Sequence, residues 1–163
     1  MVAFMPLHRR TLILAAGAVA LATSAQAQMP RAPSFARGPL VIEGADGRRH
    51  RFTVEFADTD ERRAYGLMFR RSMPADEGMI FDFKEDRPVS MWMRNTLIPL
   101  DMLFIDRTGR VVNIHQRAVP HDETSITSEG PVRGVLELNG GTASRLGLKP
   151  GDLVRHQMFA NGP

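Results

Sequence analysis

The chain has 163 residues, 21 Lys or Arg against 18 Asp or Glu, and no Cys. That length is one domain with short extensions, and the lack of Cys excludes disulfides, thiolate metal sites and Cys nucleophiles. The basic residues are scattered singly or in pairs with no stripe, so no nucleic-acid partner is expected despite the net charge of +3.

The chain opens with a basic group, His8, Arg9 and Arg10, followed by the apolar run Thr11 to Ala22 and the small residues of Ala25-Gln26-Ala27. This is the pattern of a secretory signal peptide, residues 1–27, cut before Gln28, which directs the mature chain to the periplasm or beyond. The run is shorter than the roughly 20 residues that cross a bilayer, and no Cys follows it to carry a lipid. No stable membrane insertion is therefore expected after cleavage. Residues 28–39, rich in Pro, Ala and Arg without periodicity, read as a flexible linker. Residues 40–160 read as a single β-rich domain.

Alternation of apolar residues marks the strands. Leu40 to Glu43 and Arg51 to Phe56 form a hairpin across Ala45-Asp46-Gly47, with Phe52, Val54 and Phe56 on the core face. Asp58 with Glu61 three residues on is a capping box for a helix from Thr59 to about Leu67, ending near Gly66. Strands follow at Gly78 to Phe83, Val89 to Met93, Asp101 to Ile105 and Arg110 to Gln116, the last two joined by the turn Asp106 to Gly109. Val119 to Pro131 is a polar loop. Val132 to Leu138 is a strand, Gly141 to Leu146 a short helix capped by Gly147, and Leu153 to Phe159 the closing strand after the turn Lys149 to Asp152. The expected fold is mainly β, a β-sandwich or partly closed barrel with two short helices.

Three segments carry a family resemblance: Gly66-Leu67-Met68-Phe69-Arg70, Gly78-Met79-Ile80-Phe81-Asp82-Phe83, and Trp92-Met93-Arg94-Asn95-Thr96-Leu97-Ile98-Pro99-Leu100-Asp101. In order and spacing they resemble the domain of unknown function 192 family, many of whose members are small exported bacterial proteins. Val135 to Leu138 and Gly140 to Ala143 resemble its C-terminal pattern, and Arg94 stands where that family commonly has Lys. The resemblance implies a mainly β, jelly-roll-like fold and brings no established activity.

Along Val89 to Arg94 the side chains alternate between two rows. Val89, Met91 and Met93 form an apolar row directed to the core. Ser90, Trp92 and Arg94 form the opposite one. An aromatic plate beside a fixed cation suits an anionic or sugar-like ligand, with Trp stacking on a ring and Arg gripping a carboxylate or phosphate. The candidate ligand-binding set is Arg70, Trp92, Arg94, Asn95, Thr96 and Asp101, with Asp101 facing Arg94. The alternative is a folding motif, with Trp92 in the core, Arg94 and Asp101 a buried pair, and Asn95 and Thr96 turn-formers.

Other signals are weaker. His115, His121, Asp122, Glu123 and His156 show no metal-site spacing, and Met68, Met73, Met79, Met91 and Met93 read as packing residues, so neither metal nor cofactor is expected. There is no nucleophile elbow and no phosphate-binding loop. Asp82, Asp101 and Glu137 are the acids available for glycan chemistry, and Glu137 shares a strand face with Val135. Three functions follow: a non-catalytic binding or accessory domain, an enzyme acting on envelope glycan or a related polar substrate with Asp101 or Glu137 as acid/base, and a module that meets another envelope protein. A deep pocket with a raised carboxyl pKa favours the enzyme, a shallow polar groove the binder, and a flat apolar patch the protein partner.

Overall fold

The apolar alternation of the first hairpin sets the register of the whole sheet. In the computed structural model, which describes residues 31–162, β1 (Arg37–Glu43) pairs antiparallel with β2 (Arg49–Ala57), Leu40 opposite Phe52. Leu40, Ile42, Phe52 and Val54 enter one buried cluster, with Phe56 packed at its margin. The export signal read at 1–27 lies outside the described residues. The domain starts earlier than residue 40, because β1 begins within the stretch read as linker and Phe35 already packs against the core. The Phe56 N–H donates to the Ala36 carbonyl at 2.9 Å. Gly38 leaves the space that the Phe56 ring needs, since a Cβ there would meet its Cζ at 2.7 Å.

Helix α1 (Asp60–Tyr65) is capped by Thr59, one residue later than the sequence suggests; the Thr59 hydroxyl accepts the Arg62 N–H at 3.3 Å. Asp58 takes the Arg62 guanidinium at 2.7 Å instead. Gly66 ends the helix at φ 50°, and β3 (Glu77–Arg87) then lies parallel to β2. The strand expected at Val89 to Met93 shrinks to β4 (Ser90–Met91). It pairs with β7 (Ile126–Thr127), which lies inside the expected polar loop. β5 (Leu100–Ile105) and β6 (Val111–Ala118) form the second hairpin, and β8 (Val132–Asn139) lies between β3 and β5. After α2 (Thr142–Leu146), β9 (Leu153–Arg155) stops short of the expected Phe159, and the chain turns through a 3₁₀ segment, Gln157–Phe159.

Seven strands make one sheet in the order β6-β5-β8-β3-β2-β1-β9. Its two edges meet at one end: Arg110 bridges Leu153, and the Val154 N–H donates to the Gly109 carbonyl at 2.7 Å. The mainly β architecture thus takes the partly closed barrel form, a single curled sheet rather than two facing ones. Where the edges meet, their backbone groups are paired instead of exposed.

The central strands are buried on both faces, which is why all six residues of β5 are buried. One face contributes Ile80, Leu103, Ile105, Leu136 and Leu138 to the interior cluster. The other contributes Met79, Phe81, Met102, Phe104 and Val135 to a second cluster, roofed by Leu67, Met73, Val89 and Met93 from the connecting loops. The candidate site lies under that roof.

Candidate functional site

β8 places Glu137 on the same face as Val135, in register with Met79 of β3 on one side and Met102 of β5 on the other. Both neighbours are fully buried methionines, so the carboxyl sits in an apolar strip of sheet. It makes no hydrogen bond or ion pair with any described residue, and its side chain faces a cavity of about 210 Å³. Glu137 is 4% exposed, and burial alone pushes its carboxyl up to about 8. At neutral pH it is a neutral acid, with one O–H to donate and a carbonyl oxygen to accept.

The walls are built from two loops laid over the sheet. The end of α1 and the turn after it supply Arg63, Tyr65, Leu67 and Met68, and the β4 segment supplies Ser90, Met91, Trp92, Arg94 and Thr96. Phe81 and Phe83 of β3 complete the lining. The loops are tied together where the Phe69 N–H donates to the Asn95 carbonyl at 2.8 Å. Both residues at that tie have positive φ, 64° for Phe69 and 54° for Asn95. Asn adopts this conformation readily, whereas a bulky Phe holds it only where its surroundings impose it.

The alternation expected for Val89 to Arg94 persists although only two of these residues pair as a strand. Val89 and Met93 are buried, whereas Ser90, Trp92 and Arg94 are exposed. Met91 is an exception to the core row: it is half-buried and lines the cavity. Trp92 is 55% exposed, which rules out the core-Trp reading. Arg94 makes no ion pair with any described residue, so its guanidinium is a free cation beside the indole. Thr96 is buried at the wall, its hydroxyl donating to the Arg94 carbonyl at 3.3 Å.

Three expected site residues stand elsewhere. Asp101 does not face Arg94. It is 0% exposed, and its carboxylate accepts the backbone N–H groups of Arg117 (2.8 Å), Gly141 (2.9 Å) and Ala143 (2.7 Å). It fastens β6 and the start of α2 to β5, and with its oxygens occupied it is not placed for acid/base work. Arg70 forms an ion pair with Glu55 and lies over the Phe35 ring at 5.9 Å, outside the cavity. Asn95 braces the wall, its Nδ2 3.8 Å from the Met68 sulfur, but does not line the cavity.

The carboxylate group weighed for glycan chemistry is not assembled. Burial works against the Asp82 charge, but Arg133 at 2.8 Å and the Lys84 N–H at 2.8 Å outweigh it, holding the carboxyl at about 2. Asp82 is therefore a paired anion, Asp101 a structural clasp and Glu137 the one acid lining the cavity. Among the described residues no group of three or more His, Asp or Glu is placed to hold a metal ion. His156 is buried, its Nδ1 accepting the Met158 N–H at 3.3 Å while its Nε2 has no partner.

Among proteins with curated descriptions, none matches this chain. Similar solved structures include two at more than 40% identity. One is a Sinorhizobium meliloti 1021 protein provisionally described as a transcription regulator, with 51% identity and a TM-score of 0.76, covering 77% of this chain and 98% of that one. The other is a protein of unknown function from Novosphingobium aromaticivorans DSM 12444, with 44% identity and a TM-score of 0.71, covering 77% and 94%. The family model DUF192, described as an uncharacterized ACR, matches residues 41–156, from β1 to the end of the barrel. The chain belongs to the DUF192 family.

Proposed function

We propose that this is an exported domain that binds a small organic anion in the cavity between α1 and the β4 segment. One observation carries the reading: a buried carboxyl without a partner faces a cavity whose rim holds an exposed indole and a free guanidinium. Keeping an acid in such a place costs stability, and groups retained at that cost cluster at functional sites. A volume of about 210 Å³ takes one ring or one acyl group, whereas whole drug-sized ligands occupy about 300–1,000 Å³. The site therefore fits a small molecule or the end group of a larger one.

The test is amide and indole NMR with a library of ring-sized anionic and neutral fragments. Binders should shift the Trp92 indole and the Gly66 to Met68 amides, and Trp92→Ala or Arg94→Ala should weaken them. Fragments that leave these signals unmoved at millimolar concentration would overturn the reading. Export has its own check: intact mass from a periplasmic fraction should begin at Gln28, and a full-length membrane-bound product would refute it.

The neutral acid in a cavity also favours a second reading, an enzyme with Glu137 as general acid/base. With Asp82 and Asp101 engaged elsewhere, this narrows to chemistry that needs a single proton donor. Glu137→Gln separates the two, because an enzyme would lose turnover while keeping its fold and substrate binding.

A further inference from the structure

Resting on the ligand-binding reading, we infer that the ligand presents a neutral carbonyl or amide to the Glu137 carboxyl and keeps its negative charge at the mouth, beside Arg94. The geometry gives each end a different chemistry. Around Glu137 the sheet offers Met79 and Met102, and β3 adds Phe81 and Phe83. None of these supplies a counter-charge to an ionised carboxylate.

The titratable and charged groups that face Glu137 across the cavity are few. From α1 come Arg63 and Tyr65, and from the β4 segment Arg94. Arg63 is already committed, to Asp60 and to the Asp82 carbonyl at 2.7 Å. That leaves Arg94 as the free charge, on the exposed side.

A ligand anion at the inner end would meet an acid that cannot lose its proton without setting two negative charges together. A ligand amine there would need Glu137 ionised among methionines, with Arg94 repelling it at the entrance. A carbonyl oxygen meets neither obstacle. It accepts the carboxyl O–H, which uses the one donor that only the neutral acid has. The carboxyl opens onto the cavity among apolar side chains, so a bond made to it there is stronger than the same bond in water.

Four probes of similar length isolate the features. N-acetylglycine carries an amide and a carboxylate, pentanoate the carboxylate alone, N-methylacetamide the amide alone, and butylamine a cation. Affinity is read from Trp92 fluorescence, since the chain has one Trp, with binding placed by amide shifts. At pH 6.5 N-acetylglycine should bind at least fivefold more tightly than pentanoate, and butylamine should not bind in the cavity. At pH 9.5 the amide advantage should vanish in the wild type. It should persist in Glu137→Gln, whose side chain keeps a donor and an acceptor at every pH.

Equal affinity for pentanoate and N-acetylglycine at pH 6.5, or cavity binding of butylamine that Glu137→Gln abolishes, would overturn the inference and leave the ligand site standing. Failure of all four probes to shift the cavity signals at 50 mM would count against both.

Discussion

Glu137 shows how a single residue can be buried and still destabilising. Its carboxyl ordinarily titrates at 4.5 and in the fold is pushed up to about 8 by burial. Below 4.5 both the folded and unfolded chains hold the proton, and no penalty arises. As pH rises from 4.5 towards 8 the unfolded chain releases its proton while the folded one keeps it, so stability falls. At ~1.36 kcal/mol per pKa unit the loss by pH 8 reaches about 4 kcal/mol. Glu137→Gln removes the titration. Denaturant melts across pH 4–9 should show the variant more stable than the wild type by a few kcal/mol at pH 8 and nearly equal to it at pH 4. Parallel curves at all pH values would mean that Glu137 titrates normally in the fold.

Among the elements, the β4 segment shows what sequence periodicity captures and where it stops. Alternation correctly separates Val89 and Met93 from Ser90, Trp92 and Arg94, because side chains of extended backbone alternate with or without a strand partner. It does not reveal that pairing covers only Ser90 and Met91, since that depends on β7, which is too short to show a pattern of its own. Polar residues near a turn are equally ambiguous. Asp101 and Arg94 look alike as site candidates, yet one is clasped by three backbone N–H groups and the other is free. Only long-range contacts separate them. Glu137 carries the better signal, an ionisable residue set among Val135, Leu136 and Leu138.

The same segment provides an internal control for stability. Trp92→Ala and Arg94→Ala should each cost about 1 kcal/mol or less, as exposed substitutions do. Met93→Ala should cost about 2–5 kcal/mol as a core truncation, with the half-buried Met91→Ala in between. Denaturant midpoints of the four variants check the order. A Trp92→Ala loss as large as that of Met93→Ala would turn the segment into a folding motif.

At the scale of the whole molecule, the fold depends on closure that no local pattern announces. The β1–β2 and β5–β6 hairpins are legible because their turns and alternation are local. The parallel pairing of β2 with β3 and the meeting of the sheet edges at Arg110 and Leu153 are not, because they join residues far apart in sequence. Gly109 sits at that closure with φ 88°, where a Cβ would collide with the Val154 carbonyl and the Asn161 side chain. Gly109→Ala combines a strained backbone with a broken edge contact and should cost about 2–4 kcal/mol. Hydrogen exchange should show the loss of protection concentrated at β9 and the start of β6. Unchanged protection at the Val154 amide would show that the edge contact is not what holds the barrel closed.

That partly closed barrel gives the outer face of β3, β5 and β8 a base, and the loops roof it to leave Glu137 as the one acid facing the cavity. The most direct measurement of this arrangement is the carboxyl ¹³C chemical shift of Glu137 from pH 3 to pH 10, assigned by its loss in Glu137→Gln. A midpoint near 8 is expected, moving when a ligand occupies the cavity. A midpoint near 4.5 would mean that the carboxyl is solvated and charged at neutral pH, and would contradict a site built around a neutral acid.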